Sequence, residues 1–261
     1  MKIALCLYGH TGINKLASLR MDGDITKESQ GASTALDRPF SGFTNSLLSK
    51  YDTDVFIHTW SHEKKDTIEK FYNPKKAIYE EQIDFPVNLE EFGLIGDDYT
   101  KWKVSDDAKK GYKILIDDRP SWEHLMKELN REAYRAQSRW YSTKKAIDLK
   151  RQYELENKFE YDYVVVARFD CLFFAQFQFE RLPDEGFFAS KRKGRVDLDE
   201  ALFDFYFMTD SKTMDKFGTL YDHVKEYCIR PTFACREHLK KHIGDEKLYH
   251  YFTHHQHYDK A

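Results

Sequence analysis

The chain is poor in the features that would classify it at a glance. Its four cysteines, Cys6, Cys171, Cys228 and Cys235, show no paired metal-binding spacing. Cys6 and Cys171 fall in apolar runs, where free cysteine behaves as a small hydrophobe. No stretch approaches the roughly 18 apolar residues of a membrane span, so none is expected. The first apolar run, Met1 to Tyr8, has strand length and is too short for the core of a secretory signal. Together with the unpaired thiols it leads to the expectation of a reducing, cytoplasmic compartment. The net charge is only -3, with signs mixed, which argues against a nucleic-acid partner. Internal repeats, low-complexity tracts, a Walker loop and a G-x-G-x-x-G turn are all lacking.

What is present is core-forming material in quantity. Hydrophobic residues make up 41% and aromatics 16% of 261 residues, with 20 Phe and 17 Tyr. Over residues 1–261 that suits one α/β domain with insertions, or a domain plus a small cap. Ile3–Tyr8, Asp54–Trp60 and Tyr161–Asp170 are nearly continuous apolar runs, the pattern of strands buried on both faces. Between them, Phe40–Tyr51 and Ile68–Tyr72 have helical spacing, and Lys76–Glu80 reads as a third short strand. This alternation predicts a mostly parallel sheet flanked by helices. Residues 86–120 read as an insertion or lid-like segment. Ser121–Asn157 is the strongest helical region, capped by Ser121 and long enough for two helices or one bent one. Phe187–Ser190 and Phe203–Met208 read as later strands, Ser211–Cys228 and Arg236–Ile243 as helices.

Ligands of open α/β sheets bind at the carboxyl ends of the strands, so those ends hold the candidates. Asp170 closes the Tyr161 strand, where a carboxylate can hold a divalent cation or simply cap the next turn. Gly9, His10, Thr11 and Gly12 follow the first strand; they admit a phosphate or nucleobase to the backbone, or form an ordinary turn. His58 and Trp60 end the second strand, where the indole can stack on a base or sugar, or cover the edge of the core. Gln137, Ser138 and Tyr141 share a helical face, with Lys144 and Lys145 a turn further; that face can hold a nucleotide diphosphate or be plain solvated surface. In the tail, His250 and His254 are spaced to share a helix face, which would serve zinc, a cation held by Asp170, or nothing.

Several segments occur in an order that resembles a family of small glycosyltransferase-like proteins found in large DNA viruses, phages and bacteria. They are Lys2–Gly9, Asp54–Trp60, Tyr72–Lys76, Gln137–Ala146, Arg168–Asp170, Asp204–Tyr206 and Met214–Tyr221, spanning most of the chain. The resemblance implies a GT-A-type fold and transfer of a sugar from a UDP- or GDP-sugar donor to a glycan or other hydroxyl acceptor. It implies help from Mn²⁺ or Mg²⁺ bound through a D-x-D motif. Here that motif is Arg168-Phe169-Asp170, so one carboxylate is missing. Asp170 would keep the cation, with His254 as a further ligand, and Arg168 would face a phosphate oxygen. Asp204, ahead of Glu237, is the candidate base for the acceptor hydroxyl. The competing readings are a catalytically silent nucleotide-sugar or glycan binder, and a metal hydrolase built on Asp170 and the tail histidines.

Overall fold

A computed structural model describes residues 1–11, 36–96, 98–117, 121–183, 185–191, 202–244, 246–253 and 258–260. Nine strands and six α-helices lie among them. The strands are β1 (Lys2–Gly9), β2 (Asp52–Thr59), β3 (Lys76–Tyr79), β4 (Tyr163–Arg168), β5 (Cys171–Phe173), β6 (Phe187–Lys191), β7 (Phe203–Thr209), β8 (Leu248–Thr253) and β9 (Tyr258–Lys260). The helices are α1 (Asp37–Phe43), α2 (Lys65–Tyr72), α3 (Asp106–Asp117), α4 (Trp122–Asn157), α5 (Ser211–Gly218) and α6 (Pro231–His242).

Seven strands form one sheet in the order β3-β2-β1-β4-β7-β6-β8. β1 pairs in parallel with β2 and β4, and β2 with β3. β7 runs antiparallel to β4 and β6, and β6 is parallel to β8, so β7 alone is reversed. The protein is therefore α/β, with a mostly parallel sheet covered by helices, as the strand and helix rhythm predicted. β5 and β9 form a separate two-stranded ribbon.

Strand alternation divides the core into two layers. Ile3, Leu5, Leu7, Val55, Ile57, Val165 and Ala167 face α1, α2 and an aromatic group from Phe169 to Phe179. Ala4, Cys6, Tyr8, Phe56, Val164 and Val166 face Trp140 and Ile147 of α4, with Met214 and Phe217 of α5. Six consecutive residues of β1 are buried, because both its faces are covered.

Several elements differ from expectation. α4 is one continuous 36-residue helix rather than two, consistent with the absence of Gly and Pro from its span. Ser121 does cap it, its Oγ accepting the His124 N–H. The segment expected to be lid-like is tied down: Leu89, Phe92, Trp102 and Tyr112 pack with Leu125 and Leu129 of α4 and Phe233 of α6 in a third core. α6 starts five residues earlier than read, at Pro231, whose missing N–H costs nothing in a first turn. Residues read as one helix from Ser211 end as α5 at Gly218 and continue as a 3₁₀ segment, Thr219–Glu226. His250 lies on strand β8, opposite Ala189, where a helix face was expected. The described helices include none long and apolar enough to cross a membrane.

Candidate active site

The carboxyl ends of β1 and β4 open into a cleft of about 580 Å³. Tyr8 and Gly9 of β1 and Arg168 of β4 form its floor, with Asp170 just beyond. Because β7 is reversed, its first residues arrive at the same edge: Tyr206 pairs with Ala167, and Asp204 lies two residues earlier. The Tyr8 hydroxyl donates to the Asp204 carbonyl at 3.0 Å, locking the two strand ends together. One turn of α4 supplies Ser138 and Arg139, the preceding turn Glu132, Tyr134 and Arg135. Trp60 and Gln82 close one side, Arg230, Pro231 and Thr232 the other.

Gly9 turns β1 into the cleft at φ +90°, a backbone conformation that favours glycine, and a Cβ there would meet open space. Its N–H donates to Ser142 Oγ at 2.8 Å. Ser142 Oγ is 2.7 Å from His58 Nδ1, and His58 Nε2 is 2.7 Å from Glu80 Oε1. This has the outline of a Ser-His-acid triad, but Ser142 and His58 are completely buried. Burial lowers the His58 pKa, a trend Glu80 opposes, so the ring is neutral at pH 7. The consistent assignment has Nε2–H donating to Glu80 and Nδ1 accepting the Ser142 hydroxyl. The chain of contacts therefore anchors the Gly9 amide from beneath.

The cleft is lined by four arginines and three carboxylates. Arg135 pairs with Glu132 at 3.1 Å. Arg139 is ion-paired with Asp204. Arg168 forks onto Asp170, Nε to Oδ1 at 2.7 Å and Nη2 to Oδ2. Burial works to lower the Arg168 pKa, but the Asp170 charge and hydrogen bonds outweigh it and raise it. Arg139 is pushed down to about 10 by burial and by the neighbouring Arg168 charge. Burial raises Tyr8 to about 12, so its hydroxyl stays protonated. The Arg168 guanidinium also lies 5.5 Å from the Phe205 ring centroid.

Among the residues singled out from sequence, Gly9, His10, Trp60, Ser138, Arg168, Asp170 and Asp204 line this cleft. The others sit behind or away from it. Thr11 is buried, its backbone N–H donating to Ser61 Oγ at 3.2 Å. His58 lies beneath the floor. Tyr141 stacks on Trp60 at 5.5 Å between ring centroids, and the Lys145 ammonium lies 5.1 Å from the Tyr141 ring centroid. Gln137 is buried, its amide 3.5 Å from the Pro86 carbonyl. Glu237 accepts from Ser105 Oγ at 2.8 Å and from the Cys228 N–H at 3.2 Å, which joins α6 to the start of α3 and takes it out of the cleft. Gly12 and His254 lie outside the described residues.

The residues missed from sequence are chiefly Gln82, Tyr134, Arg135, Arg139 and Arg230. Arg135 and Arg139 are spaced i, i+4 and flank Ser138, so a stripe one step around the helix from the chosen face carried the signal.

The expected Mn²⁺ or Mg²⁺ is a poor match to this donor set. A hard cation takes several oxygen ligands, mostly carboxylates. Both oxygens of Asp170 accept from Arg168, and Asp204 is held by Arg139. Among the described residues no group of three or more His, Cys, Asp or Glu side chains is arranged to hold a metal.

No family model matches the chain, and no curated protein matches it. Among solved structures it is similar to a protein of Desulfovibrio desulfuricans G20 described as a "putative nucleotide-diphospho-sugar transferase". The identity is 8% and the TM-score 0.40, over 97% of this chain and 80% of that one. A likeness this loose carries no weight for the function.

Proposed function

We propose that the cleft binds a nucleotide-diphosphate sugar and transfers its sugar to a hydroxyl acceptor, as the ordered sequence segments imply for a GT-A-type protein. The observation that carries this reading is the convergence of Arg139, Arg168 and Arg230 on the strand ends where Asp204 also arrives. Guanidinium groups match phosphate oxygens in charge and geometry. The opposite side, with Trp60, Tyr134, Gln82 and Ser138, offers an aromatic and amide surface suited to a nucleobase.

In this reading the bond between the sugar carbon and the phosphate oxygen breaks, its electron pair leaving with the diphosphate. The arginines stabilise that growing charge. The acceptor oxygen bonds to the sugar carbon, and its proton passes to Asp204, which Arg139 holds in place. Glu237 has no part in this step.

The pairing of every cleft carboxylate with an arginine also favours a second reading, a nucleotide-sugar binder that does not turn over. A panel of UDP- and GDP-sugars, assayed for release of nucleotide diphosphate with and without glycan acceptors, separates the two. Turnover that falls by about 10²–10⁴ in Asp204→Asn, with nucleotide binding retained, supports transfer. Thermal stabilisation by the nucleotides with no turnover supports the binder. Failure of any nucleotide to bind removes both.

A further inference from the structure

We infer that Arg168 takes the part of the divalent cation in this cleft: it binds the donor diphosphate directly, and Asp170 is the positioning residue that aims it. The inference rests on the nucleotide-sugar reading above and goes beyond it by replacing the metal.

Three observations converge. The first is occupancy of the carboxylate. Asp170 receives the Nε–H and one Nη2–H of Arg168 through its two oxygens, the two-point geometry in which an arginine is held most firmly. A cation on Asp170 would have to displace that fork and then sit beside the displaced guanidinium.

The second is what the fork leaves exposed. A guanidinium has five N–H donors in one plane. The fork to Asp170 uses the Nε side. The end-on edge, formed by Nη1 and the second Nη2 hydrogen, is the edge that a phosphate engages bidentately, and Arg168 lines the open cleft. Contact with Phe205 and the strand position of Arg168 fix the plane further, so little side-chain freedom remains to be lost on binding.

The third is the surrounding charge. Arg139 lies close enough to Arg168 for the two charges to oppose one another, and Arg135 and Arg230 line the same cleft. A divalent cation entering here meets four positive groups. A diphosphate meets the same four as attraction. Asp170 and Asp204 hold two of these guanidinium groups, those of Arg168 and Arg139, in place.

Arg168 transfers no proton in this scheme. The electron pair of the broken sugar–oxygen bond stays on the diphosphate, and Arg168 supplies only charge and two hydrogen bonds.

The test is calorimetric binding of UDP, GDP and inorganic pyrophosphate, each measured in excess EDTA and again with Mn²⁺. It is run on the whole chain, as wild type, Arg168→Gln, Arg168→Lys, Asp170→Asn and the double variant of Arg168→Gln with Asp170→Asn. The expected result is binding to wild type that is the same with EDTA and with Mn²⁺. Arg168→Gln should then weaken binding by about tenfold to a hundredfold. Arg168→Lys should recover only part of that, since an ammonium keeps the charge and loses the planar edge; it also decides the matter if Arg168→Gln does not fold. Asp170→Asn should weaken binding less than Arg168→Gln, leave it still indifferent to Mn²⁺, and add no further loss in the double variant, a non-additivity that a merely structural defect would not reproduce. Binding that requires Mn²⁺, with the requirement abolished by Asp170→Asn, would overturn the inference and leave the nucleotide-sugar reading intact. Folded wild-type protein that binds none of the three probes in either condition would overturn both.

Discussion

Helix α4 carries two clusters of charge that differ in almost everything except composition. Near its middle, Arg135 and Arg139 meet Glu132 and Asp204 in an open cleft. About three turns later, Lys150 is completely buried. Its ammonium reaches Glu154 at 2.9 Å, Asp215 at 2.7 Å and Ser211 Oγ at 2.5 Å. Glu154 also accepts from Ser211 Oγ at 2.6 Å and from the Tyr161 N–H at 2.9 Å. The second cluster lies at the opposite edge of the sheet, where Thr209 pairs with Val164 at the start of β4. A surface depression of about 430 Å³ beside it ends on groups already paired to one another. In the cleft, the Arg168 fork onto Asp170 occupies Nε and Nη2 and leaves Nη1 outside it. Saturation, more than the number of charges, separates a lock from a site.

The lock makes the largest prediction. Lys150→Met removes the only cation in direct contact with both Glu154 and Asp215 among the described residues. Burial already raises the Asp215 pKa against the pull of Lys150. Breaking a buried ionic cluster by deleting one partner costs about 3–5 kcal/mol. Urea denaturation should show a loss of that order, while nucleotide binding to the residual folded protein stays at the wild-type value. A loss of binding without a loss of stability would reverse the roles assigned to the two clusters.

A smaller effect separates the two ends by pH. His238, on α6, is fully buried; its rings lie 4.6 Å from His242 and 6.1 Å from His223, and Tyr227 Oη is 3.0 Å from its Nδ1. Burial first, then the charges of His242, His223 and Lys241, push its pKa down to about 4, against an opposing contact with the Lys216 carbonyl. The unfolded chain then binds more protons than the folded one below the ordinary histidine range. Stability is therefore complete above about pH 6.5 and is lost as pH falls toward 4, by up to about 2–3 kcal/mol from this group. His238→Asn should flatten the dependence of the urea midpoint between pH 7 and 4.5, whatever it does to stability at pH 7. An unchanged slope would show that His238 is not the group responsible.

Next in size comes the support beneath the cleft. Ser142→Ala leaves the Gly9 N–H and His58 Nδ1 without their shared partner. That should cost about 1–3 kcal/mol. Because Gly9 lines the cleft, the same change should also weaken nucleotide binding, unlike Lys150→Met. If stability falls and binding is unaltered, Ser142 belongs with the lock and not with the site.

The strands that make the floor were legible in the sequence because burial on both faces leaves almost no polar residue in β1 and β4. The cleft was legible as the place where those runs stop, at Gly9 and Asp170. What stayed hidden depends on distances between elements. That Arg168 turns onto Asp170 two residues away, when a phosphate was the expected partner, shows only in the folded chain, where Phe205 of β7 also lies beside the guanidinium. That His58 is sealed and Trp60 open to the cleft depends on α4 laying Ser142 over the imidazole. Glu237 looked available because nothing in its neighbourhood of the sequence shows Ser105, 132 residues away, at its carboxylate. β5 and β9 have only three residues each, too few for a period to show.

The smallest structural effect and the clearest contrast belong to Arg135. Its side chain is largely exposed, and its pairing with Glu132, three residues earlier on the same helix, is of the kind that adds little to stability. Arg135→Ala should leave the melting temperature unchanged within error. It should still weaken UDP and pyrophosphate binding several-fold at low ionic strength, because Arg135 lines the cleft and adds to its positive potential. Salt screens such a contribution, so the difference between variant and wild type should shrink as ionic strength rises past the point where the Debye length falls below about 8 Å. The loss in Arg168→Gln, where a directed contact to phosphate is removed, should persist at the same salt concentration. Equal salt sensitivity in the two variants would mean that Arg168 acts only as background charge, and the distinction between a bound arginine and a steering one would not hold.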